Sequence, residues 1–270
     1  MSWITARRRH PAAGYAILLL GLLLVGAVYA AVVGGGTAAS GAPPTAANQA
    51  QVTAGRTVFL QDCTTCHGFA AQGTGAAPSL IGVGSAAVDF QVSTGRMPLK
   101  ESDAEAGRKP PQLNTAQTHA VAAYIASLGG GPAIPSAAEV NTSGANVGVG
   151  QKLFVTNCAQ CHNFVGAGGA LTYGKYAPPL TKSTSTQMYE AMLTGPEAMP
   201  VFNDTTITPD QKRDVIAYVT TTRVQANPGG FSLGRIGPVT EGLVAFLGLL
   251  LFMVLAALWI TAKHGKTSHE

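Results

Sequence analysis

The plainest pattern along the chain is a pair of long apolar runs near its ends. Residues 14–33 and 242–262 carry no charged side chain. About 20 apolar residues let a helix cross the hydrocarbon core of a bilayer, so transmembrane helices are expected over 14–33 and 239–262. Tyr15, Tyr29 and Trp259 stand near the run ends, where an amphipathic ring suits the membrane–water interface. The first run also fits a cleaved signal peptide, but it is longer than the usual apolar core of about 7–15 residues, which favours retention as an anchor. Between the runs the spacing is helical. Val215, Tyr218 and Val219 form one apolar stripe, and Val121, Tyr124, Ile125 and Leu128 form another. Thr208-Pro209-Asp210-Gln211 is a capping box with Pro at the first helical position, and Asn114 with Gln117 starts the earlier helix. Apolar spacing over 54–62 and 149–157 predicts two further short helices. Gly129 and Asn227-Pro228-Gly229 act as stops. No run alternates as a large sheet requires, so the fold class is mainly α.

Charge adds topology. The chain has 17 Lys+Arg against 13 Asp+Glu, a net +4, and only 11% of its 270 residues are charged, against about 25% in an average soluble domain. Disorder and a nucleic-acid-binding arm are poor fits to that profile. The surplus sits at the ends: Arg7, Arg8 and Arg9 precede the first run, and Lys263 and Lys266 follow the second. The positive-inside rule then places 1–13 and 263–270 in the cytoplasm and everything between the spans on the extracytoplasmic side of the cell membrane.

That middle divides at low-complexity stretches. Residues 34–51 read as a flexible tether and 130–148 as an interdomain linker, leaving domains over 52–129 and 149–228. The two domains repeat each other. Gly55, Phe59, Cys63, Cys66 and His67 match Gly150, Phe154, Cys158, Cys161 and His162 at an offset of 95. Pro78 and Leu80 match Pro178 and Leu180, Thr94-Gly95 matches Thr194-Gly195, and Met97-Pro98 matches Met199-Pro200 at offsets near 100. Gln117 and Tyr124 match Gln211 and Tyr218. Order is kept while the offset drifts, as a tandem duplication leaves it. Each copy is short of large apolar residues, and a domain of about 80 residues needs a staple.

All four cysteines fall in two Cys-x-x-Cys-His motifs, Cys63/Cys66/His67 and Cys158/Cys161/His162. This is the attachment signature of a c-type haem: two thiols reach the two vinyl groups and the adjacent His becomes the proximal ligand. Disulfides do not call for a following His twice, a zinc site from both pairs has the wrong spacing, and a thioredoxin-like site lacks its βαβ setting. Two covalent haem c groups, one per copy, supply the missing apolar core. Met97 and Met199 lie 30 and 37 residues after the motif histidines, each before a Pro on a Gly-containing loop. A lone Met is usually packing, but matched placement assigns these two as the second axial ligands. Met188 and Met192 keep the packing reading. His119 is matched by Arg213 and reads as a helix-surface residue, and His10, His264 and His269 lie on the cytoplasmic flanks. Pro78-Ser79-Leu80 and Pro178-Pro179-Leu180 are expected to supply backbone around the proximal His, with a carbonyl there accepting from its second N–H. With both axial positions filled, electron transfer is expected and substrate chemistry on this chain is not. The first copy carries extra residues between Pro98 and Gln117, with Lys100, Glu101, Asp103, Glu105, Arg108 and Lys109. This charged insertion reads equally as a docking loop for a protein partner and as a solvated loop.

Together with residues 78–84 and 90–98, with 168–171, 174–178 and 191–196, and with the C-terminal span, these motifs make the chain similar over nearly its whole length to the dihaem cytochrome c subunit (cytochrome cc) of the actinobacterial menaquinol–cytochrome c reductase. The resemblance implies two tandem class I cytochrome c-like domains flanked by N- and C-terminal transmembrane helices. It implies cytochrome b and Rieske iron–sulfur subunits as partners. The haem at Cys63, Cys66, His67 and Met97 would accept an electron from the Rieske protein. The haem at Cys158, Cys161, His162 and Met199 would pass it to a haem-copper oxidase. A dihaem subunit of another oxidase or membrane dehydrogenase, and a dihaem peroxidase, are the alternatives.

Overall fold

A computed structural model describes residues 11–33, 46–101, 103–225 and 238–267. Arg7, Arg8, Arg9, His10, His269, residues 34–45 of the tether and the Asn227-Pro228-Gly229 stop lie outside the described residues. Helix α1, Pro11–Val33, belongs to a separate N-terminal unit. Its side chains are described over Gly14–Tyr29, an apolar stretch. Among the described residues only the C-terminal helix carries an apolar stretch of the roughly 20 residues that cross a bilayer. It is α11, Pro238–Thr267, whose segment Thr240–Ala262 has a mean hydropathy of 2.8 with its side chains in the open.

The middle of the chain is two helical repeats, with one two-residue antiparallel pair, β1 (Gly169–Ala170) and β2 (Tyr176–Ala177), among the described residues. The first repeat holds α2 (Ala46–Asp62), α3 (Thr64–His67), α4 (Gly84–Ser93) and α5 (Thr115–Ser127). The second holds α7 (Val147–Asn157), α8 (Ala159–His162), α9 (Ser185–Thr194) and α10 (Pro209–Val224). Helix α2 starts at Ala46, inside the stretch read as tether. Both expected caps are present: Asn114 with Gln117 on α5 and Thr208 with Gln211 on α10 form reciprocal capping boxes.

The repeated Gly and Phe have a structural cause. A methyl at Gly55 would overlap the Ala120 carbonyl, and one at Gly150 the Asp214 carbonyl. Each glycine thus lets the first helix of its repeat touch the backbone of the last. One turn further on, Phe59 meets Tyr124 with ring centroids 5.3 Å apart and tilted by 52°. Phe154 meets Tyr218 at 5.3 Å and 50°. Val121 and Ile125 complete the first core; Met188, Met192, Val215 and Val219 complete the second, so Met188 and Met192 are packing residues as expected.

The linker is strapped down. Ala86 N donates to the Pro132 carbonyl at 3.1 Å, Ile134 N to Ser85 Oγ at 3.1 Å, and Asn146 N to Asp214 Oδ1 at 2.6 Å, while α6 (Ala137–Val140) carries its own capping box. The repeats also pack directly through α4 and α9. There Asp89 and Glu190, both buried, face each other across the seam. The charged insertion, expected to face solvent or a separate partner, instead divides. Lys100 and Glu101 stay in solvent. Further along, Glu105 accepts from Tyr176 N at 2.9 Å and Arg108 Nη2 donates to Gln187 Oε1 at 3.1 Å. The later part of the insertion is therefore tied to the chain's own second repeat.

Candidate haem sites

Each Cys-x-x-Cys-His motif occupies one helical turn after a longer helix. His67 N donates to the Cys63 carbonyl at 3.0 Å, and His162 N to the Cys158 carbonyl at 2.9 Å. The turn gathers two thiols and an imidazole, the second thiol of each pair being exposed. Burial, with minor help from nearby negative groups, pushes the Cys63 thiol up to about 11 and the Cys158 thiol also to about 11. Burial thus favours the neutral form of both thiols ahead of any attachment.

Past the turn the chain reverses in the same way twice. Gly73 N donates to the His67 carbonyl at 2.8 Å, and Gly168 N to the His162 carbonyl at 3.0 Å. Both glycines have positive φ, 83° and 84°. A side chain on either would strike the returning backbone at Pro78–Ser79 or Ala177–Pro179. That close return brings the Pro78 carbonyl to 2.9 Å from His67 Nδ1 and the Pro178 carbonyl to 3.0 Å from His162 Nδ1. A carbonyl only accepts, so Nδ1 carries a proton, and the tautomer this selects for the neutral ring has its lone pair on Nε2. Burial lowers the His162 pKa against the opposing effect of the Pro178 bond, which favours the neutral ring. A backbone carbonyl from residues 78–80 and 178–180 was legible in the sequence; that Pro78 and Pro178 supply it was not. The matched Gly73 and Gly168 were missed, although both keep the offset of 95.

In the second repeat Cys158, Cys161, His162 and Met199 line one cavity of about 690 Å³, within the range of small-molecule and cofactor sites of roughly 300–1,000 Å³. Phe154, Leu171, Met192 and Phe202 add apolar wall. In the first repeat Cys63, Leu80 and Met97 pack against the same core. His119 is on a helix surface as expected, 3.5 Å from Asp89. The donor set fits a haem: two thiols beside an imidazole with a free Nε2, an apolar cavity, and a thioether on its wall.

Two such repeats are tandem c-type cytochrome domains, and the family models agree. Residues 52–129 match the model described as cytochrome c, and residues 145–219 the model described as cytochrome C oxidase, cbb3-type, subunit III. Such domains indicate covalently bound haem c. The chain is 42% identical over 281 residues to the cytochrome bc1 complex cytochrome c subunit of Corynebacterium diphtheriae, covering 96% of this chain and 98% of that one. It is 40% identical over 263 residues to the subunit of the same name from Mycobacterium tuberculosis, covering 95% and 93%. A Cbb3-type cytochrome c oxidase subunit FixPc from Rhizobium leguminosarum is 31% identical over 127 residues, covering 44% and 41%. The chain belongs to the family of cytochrome bc1 complex cytochrome c subunits and has an electron-transfer role.

Proposed function

We propose that this chain is a membrane-tied relay of two haem c groups in a quinol–cytochrome c reductase. It would take electrons from a Rieske iron–sulfur subunit assembled with cytochrome b and deliver them to a haem-copper oxidase. The haems supply one-electron couples; the chain's residues hold them, set their ligands and exclude other chemistry. Cys63 and Cys66, and Cys158 and Cys161, would form the thioethers. His67 and Met97 in the first domain, and His162 and Met199 in the second, would close both axial positions. α11 anchors the domains, and residues 14–33 form a second span, with both ends of the chain in the cytoplasm and the haem domains outside.

The observation that carries this reading is the wall of the second cavity, which brings Cys158, Cys161, His162 and Met199 together with His162 Nε2 uncommitted. A closed iron favours electron transfer over oxygen or peroxide chemistry. The test is made on detergent-purified protein. Two covalent haems per chain, an absorption band near 695 nm for both ferric sites and no carbon monoxide binding are expected, with cytochrome b, Rieske and oxidase subunits co-purifying. One haem, or free carbon monoxide binding at either site, overturns the relay. The cbb3-type match over 145–219 favours one second reading, a dihaem oxidase subunit. Co-purification of an oxidase without cytochrome b would select it.

A further inference from the structure

The second domain does not build its cavity alone. Arg96, Glu105, Arg108 and Lys109 of the first repeat line it, with Lys182 and Glu197 of the second. These charged side chains are four cations against two carboxylates. The carboxylates already have donors: Glu105 accepts from Tyr176 N at 2.9 Å and Glu197 from Ala106 N at 3.4 Å. Lys109 Nζ donates to the Pro98 carbonyl at 2.8 Å, and Arg108 reaches Gln187. Arg96 differs. It is only 7% exposed, its guanidinium lies 4.9 Å from the Phe90 ring centroid, and its buried Nη1 has no hydrogen-bond partner. Leaving a buried charged donor unsatisfied costs more than leaving a neutral one. On the wall of the cavity no protein acceptor reaches Arg96 Nη1.

A haem carries two carboxylates, its propionates, and the cavity wall carries a surplus of two positive charges. We propose that the second haem site is completed by the first domain, Arg96 with Arg108 receiving a propionate of the haem tethered at Cys158 and Cys161. This rests on the reading of that cavity as a haem site. The residue after Arg96 is Met97, which packs beside Cys63 on the first domain's core. Consecutive Cα atoms lie about 3.8 Å apart, so one peptide unit joins the first domain's axial-ligand position to the second domain's anion site. The inserted residues, absent from the second repeat, then have a purpose: they carry Arg108 across the seam and hold Arg96 under cover.

The test is a spectroelectrochemical titration of the purified two-haem protein, the second haem being assigned as the wave that Met199→His displaces. A cation near an iron stabilises the less positive ferrous state. Arg96→Gln is therefore expected to lower the second haem's midpoint by about a tenfold change in its reduction equilibrium, ~59 mV for one electron. Arg108→Gln lowers it less, and Arg96→Lys restores most of the loss. An Arg96→Gln wave that moves only for the first haem overturns the proposal. If Arg96→Gln fails to load haem, Arg108→Gln decides, and an unmoved second wave overturns it. Wild-type protein with a single covalent haem overturns the underlying reading as well. Two haems with an unmoved second wave overturn this proposal alone.

Discussion

In both domains a backbone carbonyl fixes the direction of the motif imidazole, which is what the proposed role of His67 and His162 as iron ligands asks of it. His162 Nδ1 is held by Pro178 only because Gly168 has φ 84° and no side chain to hold the returning strand away. Gly168→Ala is expected to lower the stability of the holoprotein by about 2 kcal/mol, from backbone strain plus overpacking. It should also weaken the 695 nm band of the second haem. Chemical denaturation and the ferric spectrum measure both, and a wild-type spectrum with unchanged stability would refute the role given to the glycine. At this scale the site was largely legible, because Cys-x-x-Cys-His is a local pattern whose chemistry is fixed by spacing alone. Gly168 was not, because what makes it necessary is a strand that returns nine to eleven residues later (Ala177–Pro179). The bare Nη1 of Arg96 was equally silent, since its lack of a hydrogen-bond partner is a property of its surroundings.

At the scale of elements, each domain turns on one helix crossing. Gly55→Ala or Gly150→Ala puts a methyl into a backbone carbonyl of the partner helix, and about 3 kcal/mol of destabilisation is expected, at the upper end of ordinary overpacking. Thermal unfolding of the holoprotein checks it, with a larger loss than for a change at an exposed position of the same helix, such as Thr57→Ala. The seam between α4 and α9 makes a pH prediction. Burial, then the charge of Asp89 and a hydrogen bond to it, push Glu190 up to about 10 from an ordinary 4.5. As two carboxylates these groups offer each other no donor; with Glu190 protonated it donates to Asp89. His119, 3.5 Å from Asp89, faces the pair from α5. Between the unfolded value near 4.5 and about 10, the folded chain holds a proton that the unfolded chain has released, so this group's contribution makes stability fall as pH rises through that window. Glu190→Gln is expected to flatten the fall, read from urea midpoints between about pH 5 and 9. The capped helices α5 and α10 were readable from periodicity and from Asn114/Gln117 and Thr208/Gln211, but α4 and its pairing with α9 were not, because nothing local marks which exposed-looking carboxylate faces another.

At the scale of the whole molecule, the first repeat is both a cytochrome domain and part of its neighbour's wall. That makes the pair one working unit instead of two beads on a string, with the linker strapped along it by Pro132, Ile134 and Asn146. The anchors make a separate prediction. A chain ending before Pro238 lacks α11, the helix whose segment Thr240–Ala262 is long and apolar enough to cross a bilayer. It is expected to stay in the membrane fraction through residues 14–33, and a chain lacking both runs should be recovered in the soluble fraction. Release on loss of α11 alone would mean that the N-terminal run is cleaved.

The sequence by itself determined the chemistry and its duplication: two thiol pairs each followed by His, matched Met-Pro loops, helical caps and an apolar C-terminal run are all local patterns, and local patterns survive without a fold. Only the tertiary structure decided where the charged insertion goes, why Gly55 and Gly150 recur, and which domain supplies the cations of the second cavity. Those are contacts between residues far apart along the chain, such as Gly55 with Ala120 and Ala106 with Glu197, and their energy depends on burial and distance, which a string of residues does not specify.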